Sequence, residues 1–371
     1  MLNHCKLLII TLLLGIGCGG SAVKQLPEAS NFDQAINFAG TEYITNGPVA
    51  GCVVGVIRNG KREVYAFGTK DLKADEKPDE QTIFEIGSIT KTFTATLLAD
   101  LIIAGICKPE DPVKNFLPDL SINEFENTPI TLLDLTTHTS GLPRMPSNIG
   151  FYILKDAENP YAAYPVSELY SWLSKYKPEK APGNSFEYSN LGVGLLGHTL
   201  GKINQSDYEQ SLQQRVLFPL KMTHTTLSLT DSQRQNLALP YSKKDLVSNW
   251  DFTDAFAAAG AIKSNLSDMF LYLEAQMGIT HSSLDSAISL THIPQRPDGN
   301  RGQIGMGWMI RTSDDGKITL WHNGATGGYQ SFIGFMPEEN IGIVILMNTA
   351  TSSTQEATNS GFYLLNAASK Q

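Results

Sequence analysis

The run Val53-Val54-Gly55-Val56-Ile57-Arg58-Asn59-Gly60-Lys61-Arg62-Glu63-Val64-Tyr65-Ala66-Phe67 decides the architecture. Two β-rich stretches flank Arg58-Asn59-Gly60-Lys61, and Asn-Gly is the pair that most readily supplies the positive φ angles of a tight hairpin turn. The chain therefore opens on sheet. The same texture returns near the other end, around Ile318-Thr319-Leu320-Trp321, Gln330-Ser331-Phe332-Ile333-Gly334-Phe335 and Ile341-Gly342-Ile343-Val344-Ile345-Leu346. Pro337-Glu338-Glu339-Asn340 separates the last two as a turn, so an antiparallel meander is expected, followed by a helix from about Ser353 to Ala367. Between about Thr90 and Ile293 the pattern changes to helical stretches broken by Pro and Gly. The predicted fold is α+β: one antiparallel β-sheet flanked by helices and built from both chain ends, with a mainly helical lobe, about 105–295, inserted between them. Clefts between such lobes are where ligands bind.

The bulk numbers fit a folded catalytic or binding domain. The chain has 371 residues, 42% hydrophobic and 18% charged, enough for a large core, and a catalytic domain spanning about 30–371 accommodates all of the patterned sequence. A formal charge of -9 disfavours a polyanionic partner, so nucleic acid is not expected. Four cysteines far apart make no disulfide framework, and the seven scattered histidines give no metal-ligand spacing. No metal and no cofactor are expected, and the chain is read as a monomer.

Residues 1–22 read as an export signal: Lys6, the apolar run Leu7 to Leu14, then small residues from Gly15 to Ala22. Two processing routes stay open, a cut after Ala22 and lipidation of Cys18 after Gly17. Localisation is expected in the periplasm or at the cell surface, with membrane contact only through a lipid on Cys18.

Three short patterns carry chemistry. Ser88-Ile89-Thr90-Lys91 opens a helix whose residues Ile89, Phe93, Leu97, Leu98, Leu101 and Ile102 are expected on one apolar face, with a stop at Gly105. Residues three apart share a helix face, so Lys91 can take the proton of Ser88, and desolvation lowers a lysine pKa towards that task. The Ser88 amide can face a bound carbonyl oxygen. In Tyr188-Ser189-Asn190, placed on a loop before a helix, a phenol beside an ammonium group is expected to be partly ionised and to serve as a second base and an acid for the leaving group. Asn190 is expected to hold Lys91 and a substrate amide. His322-Asn323-Gly324 ends a strand and runs into Ala325-Thr326-Gly327-Gly328. There Gly324 lets substrate approach the main chain, the Ala325 amide pairs with that of Ser88 as an oxyanion hole, and His322 contacts a substrate carboxylate. Alone, each pattern also has an ordinary explanation as a cap, a core residue or a hairpin.

In this order the three patterns resemble the penicillin-recognising serine hydrolases, the group of class C β-lactamases, D-alanyl-D-alanine carboxypeptidases and related esterases and D-aminopeptidases. Phe84 to Phe93 is similar to the first family motif with its flanks, Thr136-Thr137-His138-Thr139-Ser140-Gly141-Leu142-Pro143 to a family loop, Tyr188-Ser189-Asn190 to Y-x-N, and His322-Asn323-Gly324 to the H-x-G form of the third motif. The Y-x-N form places the chain on the class C side rather than with the S-D-N relatives. The resemblance implies a β-lactamase/transpeptidase-like fold and an acyl-enzyme on Ser88, with Lys91 and Tyr188 catalytic and with a β-lactam, D-alanyl peptide or ester as the small substrate. A non-catalytic binder of cell-wall peptides is the reading from another class.

Two departures stand out. Class C β-lactamases carry Lys where this chain has His322, and a substrate-binding Gln about where Met145 stands, with Arg144 and Asn148 as the nearby polar substitutes. Two decoys are set aside. Gly192-Val193-Gly194-Leu195-Leu196-Gly197 fits G-x-G-x-x-G but lacks the preceding strand, so its glycines are read as close helix packing. His138 lies in a Thr-rich loop without a G-x-S-x-G around Ser88 and is read as structural. Trp308 and Trp321 are read as core or cleft wall.

Overall fold

The computed structural model describes residues 27–370 except Asn46, Arg301 and 352–354. The signal-like segment with Cys5, Cys18 and Ala22 lies outside the described residues, as does Ser353, the expected start of the last helix. In chain order the elements are α1 (Phe32–Gly40), β1 (Gly51–Arg58), β2 (Lys61–Gly68), β3 (Ile83–Glu85), α2 (Thr90–Ile103), α3 (Leu132–Thr136), α4 (Gly150–Lys155), α5 (Val166–Leu173), α6 (Asn190–Ile203), α7 (Tyr208–Leu212) and α8 (Asp231–Arg234). They continue with β4 (Tyr241–Ser242), β5 (Asp245–Leu246), α9 (Ala257–Gly260), β6 (Lys263–Asn265), α10 (Leu266–Gln276), α11 (Asp285–Thr291), β7 (Arg296–Pro297), β8 (Gln303–Ile304) and β9 (Met309–Thr312). The chain ends on β10 (Ile318–Ala325), β11 (Gln330–Met336), β12 (Ile341–Met347), β13 (Thr349–Ala350) and α12 (Glu356–Ala368).

β1 and β2 form the expected hairpin, with Asn59 at φ 51° and Gly60 at φ 71°, the left-handed pair that a two-residue turn needs. The large sheet runs β2-β1-β12-β11-β10-β9-β8-β7, antiparallel throughout. β1 pairs with β12 from Cys52↔Met347 to Arg58↔Ile341, which closes the two chain ends into one layer. Alternation sorts the side chains. Cys52, Val54, Val56, Ile343 and Ile345 pack with α1 and α12 on one face, whereas Val53, Ile57, Val344 and Leu346 join the main core on the other. This is why Ile341–Met347 is apolar at every position: both faces of that strand are covered.

A second, two-stranded sheet pairs β3 with β6, setting Glu85 opposite Lys263. Between Gly105 and Asn265, α6 packs against α2, α3, α7 and α9, and α10 returns to the large sheet, where Leu266 and Phe270 stand over Gly55.

α2 differs from the expected one-faced helix. Thr90, Lys91, Thr92, Thr94 and Thr96 are buried along with Phe93, Leu97 and Leu98, so the helix is core on all sides up to Ala99, and only its last turn reaches the surface at Ile103. Its threonine hydroxyls are satisfied internally, Thr94 by the Thr90 and Ala258 carbonyls and Thr96 by the Thr92 carbonyl, which makes a polar face compatible with the interior. The G-x-G-x-x-G glycines behave as packing residues: a Cβ on Gly194 would stand 2.2 Å from the Ala255 carbonyl and one on Gly197 2.1 Å from the Ala258 Cβ. They let α6 lie directly on the segment that carries α9. Cys52 and Cys107 are buried free thiols.

Candidate active site

Ser88 sits in a single 3-10 turn, Gly87–Ile89, that leads into α2. Gly87 holds φ +50°, and a side chain there would strike the Ala325 amide at 2.7 Å, so the turn is pressed against the end of β10. Gly324 has the matching constraint, with the Ile86 carbonyl 2.0 Å from where its Cβ would be. The sequence separation between these segments exceeds two hundred residues, yet glycine on each side lets the backbones touch. Thr326 donates to the Tyr329 carbonyl at 3.1 Å, and ladder alternation then turns the Ala325 N–H away from β11, towards Gly87 and Ser88. Ser88 and Ala325 line the same cavity.

Lys91 is 1% exposed, and its Nζ donates to Ser88 Oγ at 3.0 Å and to the Ala259 carbonyl at 2.7 Å. No carboxylate reaches it among the described residues. Burial, reinforced by the positive field of Arg144, holds the ammonium pKa well below its ordinary value, which eases the loss of its proton. The expected grip of Asn190 on Lys91 is replaced by the Ala259 carbonyl. Asn190 instead leaves its Oδ1 buried and without a partner, lining the same cavity as Ser88, Ala325, Tyr161, Trp250 and Phe252.

Tyr188 faces Ser88 from the loop before α6, with Lys91 Nζ 5.0 Å from its ring centroid. Its expected partial ionisation does not hold. Burial pushes the phenol pKa up, and the opposing pull of Arg144 and the Ser88 hydroxyl does not overcome it. Burial is the largest influence on the phenol and outweighs the opposing charge of Arg144. Lys91 is thus the one group of the pair poised as a base, and Tyr188 stands as a neutral phenol able to relay a proton.

His322 is 2% exposed and donates Nδ1–H to the Asn323 carbonyl at 2.7 Å, which leaves Nε2 as an acceptor. Burial, the largest influence, brings its pKa down to about 3. The residue offers a substrate carboxylate no positive charge, in line with an imidazole that is largely neutral near pH 7. His138 is structural, as read. At φ 58°, it accepts the Ser189 N–H on Nδ1 at 3.1 Å and the Glu187 N–H on its carbonyl at 2.7 Å, bracing the loop that carries Tyr188. Of the two polar substitutes near Met145, Asn148 is spent on Glu168 and Tyr164, whereas Arg144 lies over the Tyr188 ring, Cζ 5.2 Å from its centroid. Trp308 is core, and Trp321 packs on Phe332 and Phe362 away from the cleft.

Sequence reasoning did not find Ala259 or the aromatic wall. Tyr161 stacks on Phe252 at 4.8 Å and meets Trp250 edge-on at 5.3 Å, and the three rings close one side of the cavity beside Ser88. A backbone carbonyl has no sequence signature, and aromatics ninety positions apart show no pattern until the lobe folds. Among the described residues no cluster of His, Cys, Asp or Glu is arranged to hold a metal ion.

A family model described as Beta-lactamase matches residues 32–367. A beta-lactamase of Escherichia coli (strain K12) is 28% identical over 376 residues, covering 92% of this chain and 94% of that relative. The D-alanyl-D-alanine-carboxypeptidase/endopeptidase AmpH of the same organism is 26% identical over 313 residues, covering 80% and 79%. Among solved structures, a class C beta-lactamase superposes with a TM-score of 0.78 at 25% identity, over 90% of this chain and 96% of that one. Since the match takes in both ends of the sheet, the lobe and all three segments that meet at Ser88, the chain belongs to the beta-lactamase family of serine hydrolases.

Proposed function

We propose that the protein cleaves a β-lactam or a D-alanyl peptide amide through an acyl-enzyme on Ser88. The observation that carries this reading is the 3.0 Å contact between Ser88 Oγ and a buried, counter-ion-free Lys91. Ser88 Oγ attacks the carbonyl carbon as its proton passes to Lys91 Nζ, and the oxyanion is held by the Ser88 and Ala325 amides. The orphaned Asn190 Oδ1 accepts a substrate amide N–H. Collapse breaks the C–N bond while the leaving nitrogen takes a proton from Tyr188, which Lys91 replenishes. Water then adds to the acyl-enzyme and releases the acid. The likeness to both a beta-lactamase and a D-alanyl-D-alanine carboxypeptidase supports this substrate range.

Esterase activity on small acyl esters is the second reading, favoured by one observation: the neutral His322 offers no charge to the carboxylate that a β-lactam carries. Export to the periplasm or cell surface forms part of the proposal, supported by the signal-like segment 1–22. Nitrocefin, a D-Ala-D-Ala peptide and a p-nitrophenyl ester, each assayed with wild type and Ser88→Ala, test the function. Ser88-dependent turnover of the first or second supports the main reading, turnover of the ester alone selects the esterase, and no Ser88-dependent turnover removes both.

A further inference from the structure

Arg144 is a cation beside the catalytic centre that makes no ion pair among the described residues. Its backbone carbonyl accepts the Asn190 and Leu191 amides at 3.1 Å each, which fixes the residue to the first turn of α6. Its guanidinium lies over the Tyr188 ring, 5.2 Å from the centroid, and no carboxylate among the described residues forms an ion pair with it. The nearby acids are committed elsewhere: Glu187 to Lys180, Glu168 to Asn148, Asp134 to the cap of α3. The charge is felt across the site, where it disfavours protonation of both Lys91 and His138. An unpaired cation beside two basic groups is an unfavourable arrangement that an anionic ligand relieves.

The opposite wall offers nothing of the kind. His322 is buried with its Nδ1–H on the Asn323 carbonyl, and Gly324-Ala325-Thr326-Gly327-Gly328 contains no charged side chain. Lys263 is 4% exposed and engaged by the Leu227 and Trp250 carbonyls.

We propose that Arg144 binds a carboxylate on the leaving-group half of the substrate, taking over from the lobe side the anion recognition that His322 on β10 does not provide. The leaving-group half is specified because the guanidinium covers Tyr188, the phenol that hands a proton to that half. The inference rests on the acyl-enzyme reading above.

The test uses a depsipeptide ester whose leaving group carries a carboxylate and the same ester with that carboxylate converted to a primary amide. With wild type, kcat/KM favours the anionic ester, and Arg144→Gln lowers the anionic-to-neutral ratio by about tenfold or more, as expected for a lost charge-assisted hydrogen bond. Arg144→Lys, which keeps the charge, retains more of the ratio than Arg144→Gln. The ratio does not depend on the fraction of correctly folded enzyme. Ser88-dependent cleavage with a ratio unchanged in Arg144→Gln overturns the Arg144 role alone, even if both rates fall together. Absence of Ser88-dependent cleavage of either ester in wild type overturns the acyl-enzyme reading as well.

Discussion

Two lysines are buried close to the same cleft, and they are held in opposite ways. Lys91 touches only neutral atoms, Ser88 Oγ at 3.0 Å and the Ala259 carbonyl at 2.7 Å. Lys263 touches the Leu227 and Trp250 carbonyls at 3.2 and 3.3 Å, and it also sits opposite Glu85 across the β3–β6 pair, where burial raises the carboxyl pKa and Lys263 opposes that rise. Glu85 in turn accepts from the Trp250 amide and the Asn249 side chain, both at 2.9 Å, so the pair clamps the segment that forms the cleft wall. A buried amine with no opposite charge is driven neutral and becomes a base. One with an opposite charge nearby becomes scaffold.

The comparison is broken most directly by removing each lysine. Lys91→Met is expected to lower kcat/KM by about 10²–10⁴-fold, the usual contribution of a positioned base, while leaving Tm unchanged or raised. The sign follows from linkage. Below the ordinary lysine pKa the unfolded chain binds a proton that the folded chain excludes, so Lys91 lowers stability there and its loss relieves that cost. Lys263→Met is expected to do the reverse, costing about 2–3 kcal/mol of stability by stranding the buried Glu85 while sparing Ser88 acylation in the protein that remains folded. Denaturant melts and acylation rates on the same samples separate the two outcomes. Adding Glu85→Gln to Lys263→Met recovers part of the lost stability, and a double-mutant cycle measures that coupling.

Smaller effects sharpen the electrostatic side. Since Arg144 helps keep Lys91 neutral, Arg144→Gln moves the acid limb of kcat/KM for a neutral ester to higher pH; a limb that stays in place contradicts the tuning. Neutral His322, with its pKa at about 3, and His292, at about 4, bind fewer protons folded than unfolded. Their stabilising contribution is full above the ordinary imidazole pKa near 6.5 and is lost as pH falls towards 4. His322→Gln should flatten that fall, read as Tm against pH.

Much of this was legible in the chain because it depends on local spacing. Asn59-Gly60 announced the hairpin, Ile341–Leu346 a strand of the meander, and Ser88 with Lys91 the contact between nucleophile and base, all settled by residues a few positions apart. What stayed hidden depends on tertiary burial. The apolar face read on α2 missed that its threonines satisfy themselves and let the helix sink into the core. The ionised Tyr188 expected beside an ammonium failed because burial of the phenol itself raises its pKa. Ala259 joins Lys91 through a carbonyl that any residue type would carry, and the orientation of Arg144 over Tyr188 follows from the lobe loop rather than from its neighbours in sequence.

The central claim, a nucleophilic Ser88 activated by an uncompensated lysine, is tested most directly by mass spectrometry of the protein after exposure to a fluorescent penicillin, with peptide mapping of the adduct. The account predicts a single acyl group on Ser88 in wild type, none in Ser88→Ala, and slowed labelling in folded Lys91→Met. An unlabelled Ser88 in wild-type protein that also leaves an activated ester uncleaved would contradict it.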